Sequence, residues 1–285
     1  MLKPVIICGT GRCGSTLLMQ LLATSDKFFI PSSYPFESRF LYYLEALATM
    51  STMENSTKLL ADTILRDPTL KKIYSGILYH PFGLREFVNS EVMRVEIFRH
   101  FYIAFSKSIL SESKKQNPPS YYAEKSMGFR VPDIFSHIYP VIINLFRDPR
   151  DILSSVMQFN QKRGYFSFAW TDTDTPFSYA KRMLPAYRLM LEKSKLHLER
   201  EFSIKYEDMV LKKDDITLLL KKTLNIHVNN EEVFNNIEQY RQHMTSKTAK
   251  LSVGKWKTNL DKSVLDLFDS ELGEHLIDSG YELNG

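Results

Sequence analysis

Val5-Ile6-Ile7-Cys8-Gly9-Thr10-Gly11-Arg12-Cys13-Gly14-Ser15-Thr16-Leu17-Leu18-Met19-Gln20-Leu21-Leu22 is the stretch on which the reading of the whole chain turns. An apolar, β-branched run, a glycine-rich turn, and Leu17, Leu18, Leu21 and Leu22 at helical spacing predict a buried strand, a tight loop and the start of a helix. Gly9, Gly11 and Gly14 permit left-handed backbone and a close approach to a ligand. The helix that follows offers unpaired N–H groups and the positive end of its dipole. Arg12 adds charge, and Ser15 and Thr16 add hydroxyl donors. The stretch reads as an anion-binding loop.

Three glycine-loop patterns compete for it. The nucleotide-triphosphatase loop, G-x-x-x-x-G-K-[ST], fits Gly9 to Gly14 and then fails, because Ser15 stands where the phosphate-binding lysine belongs. The dinucleotide fingerprint, G-x-G-x-x-G, fits Gly9, Gly11 and Gly14, with Asp26 or Glu37 as its acidic partner. The third pattern is carried by Gly11-Arg12-Cys13-Gly14-Ser15-Thr16-Leu17-Leu18, which closely resembles the 5′-phosphosulfate loop of sulfotransferases, usually Arg-Ser-Gly-Ser/Thr-Thr. That resemblance implies that Gly11, Arg12, Cys13, Gly14, Ser15, Thr16 and Leu17 surround the donor, 3′-phosphoadenosine 5′-phosphosulfate.

Composition narrows the class. The 285 residues suffice for one large α/β domain, and no break in composition calls for two, so a single domain over 1–285 is expected. Hydrophobic residues at 44% and charged residues at 25% exclude a disordered chain. A formal charge of +4 favours an anionic ligand but is too small for a nucleic-acid binder, so neither DNA nor RNA is expected as a partner. The first predicted strand begins almost at Met1 and no apolar run approaches a membrane span, so a cytoplasmic protein without leader or anchor is expected. Cys8 and Cys13 are expected to be reduced thiols, since a bridge would distort the loop.

Along the chain, Lys27–Ile30 predicts a short second strand, and the loop after it carries Glu37. Loops leaving the carboxyl ends of strands line the ligand crevice of an open α/β sheet, so Glu37 is a candidate base, with a dipole-favoured surface glutamate as the alternative. Phe40–Met50, Leu59–Leu65 and Val88–Leu110 have helical periodicity and predict a cover over the acceptor side at about 40–110, interrupted by the Tyr79–Gly83 turn. His80 in that turn is a second-rank candidate base. Tyr121–Ser126 reads as a strand edge, Asn160–Ser178 as a loop, Tyr179–Arg200 as a helix and Phe202–Tyr206 as a buried strand.

Val141–Ser155 is the second informative stretch: a buried parallel strand ends in Arg147-Asp148-Pro149-Arg150, and Pro149 opens a helix carrying Ser155. This turn resembles the 3′-phosphate site of sulfotransferases, and the resemblance gives Arg147 and Ser155 that phosphate. The alternative for Arg147 is an ion pair with Asp148 or Asp151. Glu124-Lys125-Ser126 is similar to the family's Glu-Lys-Thr-Pro element, with Met127 in place of proline, and implies a place for Lys125 near the transferring group. Ser252-Val253-Gly254-Lys255-Trp256 resembles a flap, about 245–260, that closes over adenine and 3′-phosphate, and Tyr206 matches a residue near the adenine end, with core packing as the alternative.

The resemblance covers nearly the whole chain and implies a three-layer, mainly parallel sheet flanked by helices, the P-loop-containing nucleotide-binding architecture. It implies transfer of a sulfuryl group to a carbohydrate or glycolipid hydroxyl, or else to a tyrosyl or small phenolic or alcohol acceptor, leaving 3′-phosphoadenosine 5′-phosphate. Glu37 then takes the proton, Arg12 and Lys125 meet developing charge, and no metal takes part. The remaining rivals are a nucleotide kinase, a nicotinamide oxidoreductase and a nucleotide-binding protein without activity.

Overall fold

The computed structural model describes residues 1–31, 34–50, 90–113, 118–126, 128–235 and 244–284. The chain divides into two units: Arg39–Glu112 with Pro132–Ile138, and Leu2–Ser38 with Ser113–Val131 and Tyr139–Gly285.

The second unit is built on a sheet. Its strands are β1 (Lys3–Cys8), β2 (Phe28–Phe29), β3 (Tyr121–Lys125), β4 (Val141–Phe146), β5 (His197–Leu198) and β6 (Glu201–Lys205). They lie in the order β2-β3-β1-β4-β6-β5, parallel except for β5. Val5 sits beside Ala123 on one side and Val141 on the other. Central strands covered on both faces need no polar side, which is why β1 is apolar from Pro4 to Cys8 and β4 is apolar except for the buried Asn144, whose Nδ2 donates to Glu201 at 2.9 Å. Because β1 and β4 are adjacent and parallel, the loops leaving their carboxyl ends, Gly9–Gly14 and Arg147–Asp148, emerge side by side. Helix α1 (Ser15–Ala23) follows the first of these loops and buries Leu18, Leu21 and Leu22 as its spacing predicted.

In the other unit, α2 (Phe40–Met50) and α3 (Ser90–Glu112) occupy the stretches expected to be helical. A 3-10 turn, Asp133–Ile138, packs Phe135 face to face with Phe98, ring centroids 5.4 Å apart, and edge-on to Tyr42. The helix expected over Leu59–Leu65, and His80 with its turn, lie outside the described residues.

After β4, helix α4 (Pro149–Arg163) starts with Pro149 in its first turn and the Asp148 side chain accepting from Arg150 N–H at 2.9 Å. It runs four residues into the expected loop and stops at Gly164, which is left-handed at φ 71°. Helix α5 (Pro176–Glu192) is shorter at its end than the helix expected to Arg200. Ser194 Oγ donates to Leu191 O and Lys193 Nζ bonds Glu201, turning the chain back so that β5 pairs antiparallel with β6. A two-residue edge strand has no periodicity to read. Helices α6 (Tyr206–Leu211), α7 (Lys213–Leu224), α8 (Asn230–Asn235), α9 (Trp256–Asn259) and α10 (Lys262–Asp278) complete the unit. Among the described residues, no helix is long and apolar enough to cross a membrane.

Candidate active site

The glycine loop owes its shape to two left-handed residues, Arg12 at φ 68° and Gly14 at φ 101°. The expectation that all three glycines serve left-handed backbone is corrected here. Gly11 is needed for space, since a Cβ there would lie 2.4 Å from the Phe168 ring. Gly14 is needed for both reasons, because a Cβ would also lie 2.3 Å from the Tyr206 ring. The first α1 hydrogen bond is Leu18 N–H to Gly14 O, so the N–H groups before it have no helical acceptor. Cys13 lies beneath the loop, fully buried, and burial pushes its thiol up to about 11. At neutral pH it is therefore an uncharged packing group.

A cavity of about 380 Å³ opens over this loop, lined by Arg12, Ser15, Thr16, Leu17 and Gly14 on one side. The Arg147 guanidinium lies across it, 4% exposed, with its ring partner Tyr206 at 4.3 Å. Nη1 of Arg147 donates to Arg12 O at 3.0 Å and Nη2 to Ser252 O at 2.6 Å, while its buried Nε has no hydrogen-bond partner among the described residues. The ion pair weighed for Arg147 is not made among the described residues. Asp148 is taken by Arg150 through bonds of 3.0 and 2.8 Å, and Asp151 accepts from Gly254 and Trp256 N–H.

Arg12 donates from Nε to Ser155 Oγ at 3.0 Å and lies 4.4 Å from the Phe159 ring centroid. Burial, and then the charge of Arg147, pull its pKa down to about 10. Two guanidiniums repelling each other in a cavity form a site that an anion stabilises. Lys125 completes the cationic wall, donating to Thr16 Oγ1 at 2.8 Å and to Pro35 O at 2.6 Å, with Glu37 Oε1 at 3.8 Å. Glu37 is half exposed and is the one carboxylate among the described residues of the lining.

The structure thus brings Glu37, Arg12, Lys125, Arg147, Ser155, Tyr206 and Ser252 to one cavity. Gly254, Lys255 and Trp256 are not in its lining. Trp256 is 4% exposed and its ring is covered by Arg150 at 3.8 Å, so it has no free face to stack on a base. Thr245, Ser246, Thr248 and Lys250 line the cavity instead, residues inside the expected flap that were not singled out. The polar run Thr245-Ser246-Lys247-Thr248, at the start of the flap and ahead of Ser252–Trp256, was their signal.

Solved structures that share the fold include two sulfotransferase domains. The chain matches the sulfotransferase domain of the Synechococcus PCC 7002 olefin synthase with 18% identity and a TM-score of 0.53, covering 99% of this chain and 96% of that one. It matches the sulfotransferase domain of the curacin biosynthetic pathway with 19% identity and a TM-score of 0.50, covering 100% and 99%. A search of curated protein sequences gave no match. The family model described as "Sulfotransferase family" matches residues 4–229.

Proposed function

The chain belongs to the sulfotransferase family, and from that premise we propose that it moves a sulfuryl group from 3′-phosphoadenosine 5′-phosphosulfate onto an acceptor hydroxyl of a carbohydrate or glycolipid. The observation that carries the reading is the Arg12–Arg147 pair, a half-buried and a buried guanidinium linked through the Arg12 carbonyl at the N-terminus of α1. Such a pair fits a ligand with two separate phosphate groups better than a monophosphate. The nucleotide rivals are weaker: Ser15 offers no Walker lysine.

When bound, the donor supplies the sulfuryl group and a phosphate leaving group. The acceptor oxygen–sulfur bond forms as the bond from sulfur to the bridging phosphate oxygen breaks, and the acceptor proton passes to the Glu37 carboxylate. Lys125 and Arg12 stand where charge grows on the departing oxygen, and Ser15, Thr16 and the open N–H groups of α1 hold the 5′-phosphate. Arg147 and Ser155 take the 3′-phosphate. Little covalent work falls to the protein, so alignment and charge supply most of the rate. Tyr34 and Phe168 supply aromatic lining to the cavity, a surface chemistry compatible with a sugar.

The test is transfer of radiolabelled sulfate by the full chain, without added metal, to glycan, glycolipid, phenolic and tyrosyl-peptide acceptors. Labelled glycan or glycolipid that disappears with Glu37→Gln supports the reading. Label on phenols or peptides alone overturns the acceptor, and no label on any acceptor overturns the reaction.

A further inference from the structure

One face of α4 holds the segment 244–259 at its two ends, at Met244 and Thr245 and again at Gly254, Lys255, Trp256 and Asn259. Asp151, Ser154, Ser155, Gln158 and Lys162 follow the spacing of a single helical face. Lys162 Nζ donates to Met244 O at 3.0 Å, and the Ser155 hydroxyl meets Thr245 Oγ1 at 3.2 Å. Lys255 Nζ reaches Gln158 at 3.4 Å, and Asn259 Nδ2 donates to Ser154 Oγ at 2.7 Å. Asp151 attaches twice: Oδ2 accepts Gly254 N–H at 2.7 Å and Oδ1 accepts Trp256 N–H at 3.0 Å.

Asp151 is 1% exposed and does not line the cavity. A buried carboxylate costs several kcal/mol unless its oxygens are satisfied. Here both oxygens are spent on two backbone N–H groups two residues apart, at the left-handed Gly254 and the first residue of α9. That arrangement fixes the backbone of the segment just beyond Ser252. Ser252 in turn binds the donor-side groups twice, its carbonyl accepting from Arg147 Nη2 and its hydroxyl meeting Tyr206 OH at 2.8 Å. The line of contact therefore runs Asp151, Gly254 and Trp256 backbone, Ser252, Arg147.

We infer that Asp151 is a positioning residue for the cavity: it pins the backbone at Gly254 and Trp256, behind the wall, and through Ser252 sets the place of the Arg147 guanidinium. This rests on the donor reading above only for the identity of the anion. The Arg150–Trp256 contact closes the same turn from the other side, which is why the tryptophan is spent on the wall rather than on a ligand.

The experiment compares the wild-type full chain with Asp151→Asn, which keeps the volume but turns one acceptor oxygen into a donor facing a backbone N–H. Hydrogen–deuterium exchange of peptides spanning 250–258 is read in the free protein, and calorimetry gives affinities for 3′-phosphoadenosine 5′-phosphate and 5′-AMP. The inference expects exchange at Gly254 and Trp256 to quicken about tenfold or more while β1 and β4 stay protected. It expects the bisphosphate to bind about tenfold more weakly, with AMP changed about twofold at most. Asn259→Ala, which releases only the neighbouring bond to Ser154, should give a smaller effect of the same kind. Unchanged exchange at 254 and 256, or equal weakening of the two nucleotides, overturns the inference. If the wild type binds neither nucleotide, the donor reading has failed, and the exchange result alone decides whether Asp151 pins the wall.

Discussion

Arg12 Nε donates to Ser155 Oγ at 3.0 Å, which joins two stretches 143 residues apart in the chain at the lining of one cavity. The same loop is tied again by Arg147 Nη1 to the Arg12 carbonyl. A change in the turn after β4 is therefore felt in the glycine loop after β1.

Arg147→Ala removes a charged donor that is already organised by Ser252 and Tyr206. Charge-assisted bonds contribute about 1.5–3 kcal/mol, so affinity for 3′-phosphoadenosine 5′-phosphate should fall about 10- to 150-fold. Calorimetry with 5′-AMP should give a much smaller loss. Equal losses for both nucleotides would remove Arg147 from the 3′-phosphate.

Glu37→Gln keeps the shape of the only described carboxylate in the lining and removes its basicity. Turnover at saturating donor should drop about 10²- to 10⁴-fold, with nucleotide affinity unchanged. Near-normal turnover would reject Glu37 as the base.

Gly14→Ala forces a side chain into left-handed backbone at φ 101° and against the Tyr206 ring. Backbone strain and overpacking together should cost about 2–4 kcal/mol, seen as a lower denaturant midpoint. A midpoint equal to wild type would mean the loop is not packed against Tyr206 as described.

Glu207 accepts Asp148 N–H and Tyr281 OH, at 3.1 and 3.0 Å, and burial raises its pKa above the ordinary 4.5. A raised folded pKa means that the folded state holds the proton more tightly than the unfolded one. The stabilisation is full below the unfolded value and is lost as pH rises through the folded value. The stability of wild type relative to Glu207→Gln should therefore fall as pH is raised from below 4.5. A difference that grows with pH, measured by urea unfolding at several pH values, would contradict the raised pKa.

Much of this was legible in the sequence where local pattern and chemistry coincide. Val5–Leu22 and Val141–Ser155 have runs, glycines and caps that only a strand–loop–helix satisfies, and both folded as read. What escaped was set by contacts distant in the chain. Nothing local to Trp256 says that Arg150 will cover it, and nothing local to Asp151 says that its oxygens will go to Gly254 and Trp256 rather than to Arg147. Likewise β5 exists because Lys193 and Ser194 turn the chain onto β6, a tertiary cause without a periodic trace.

The central claim is that the cavity over the glycine loop binds a nucleotide through two separate phosphates. It is tested most directly by titrating the full chain calorimetrically with 3′-phosphoadenosine 5′-phosphate, with 5′-AMP, ATP and NAD as competitors and no metal. The account predicts tight binding that depends on the 3′-phosphate and survives the competitors. No binding by folded protein, or equal binding of 5′-AMP, would contradict it.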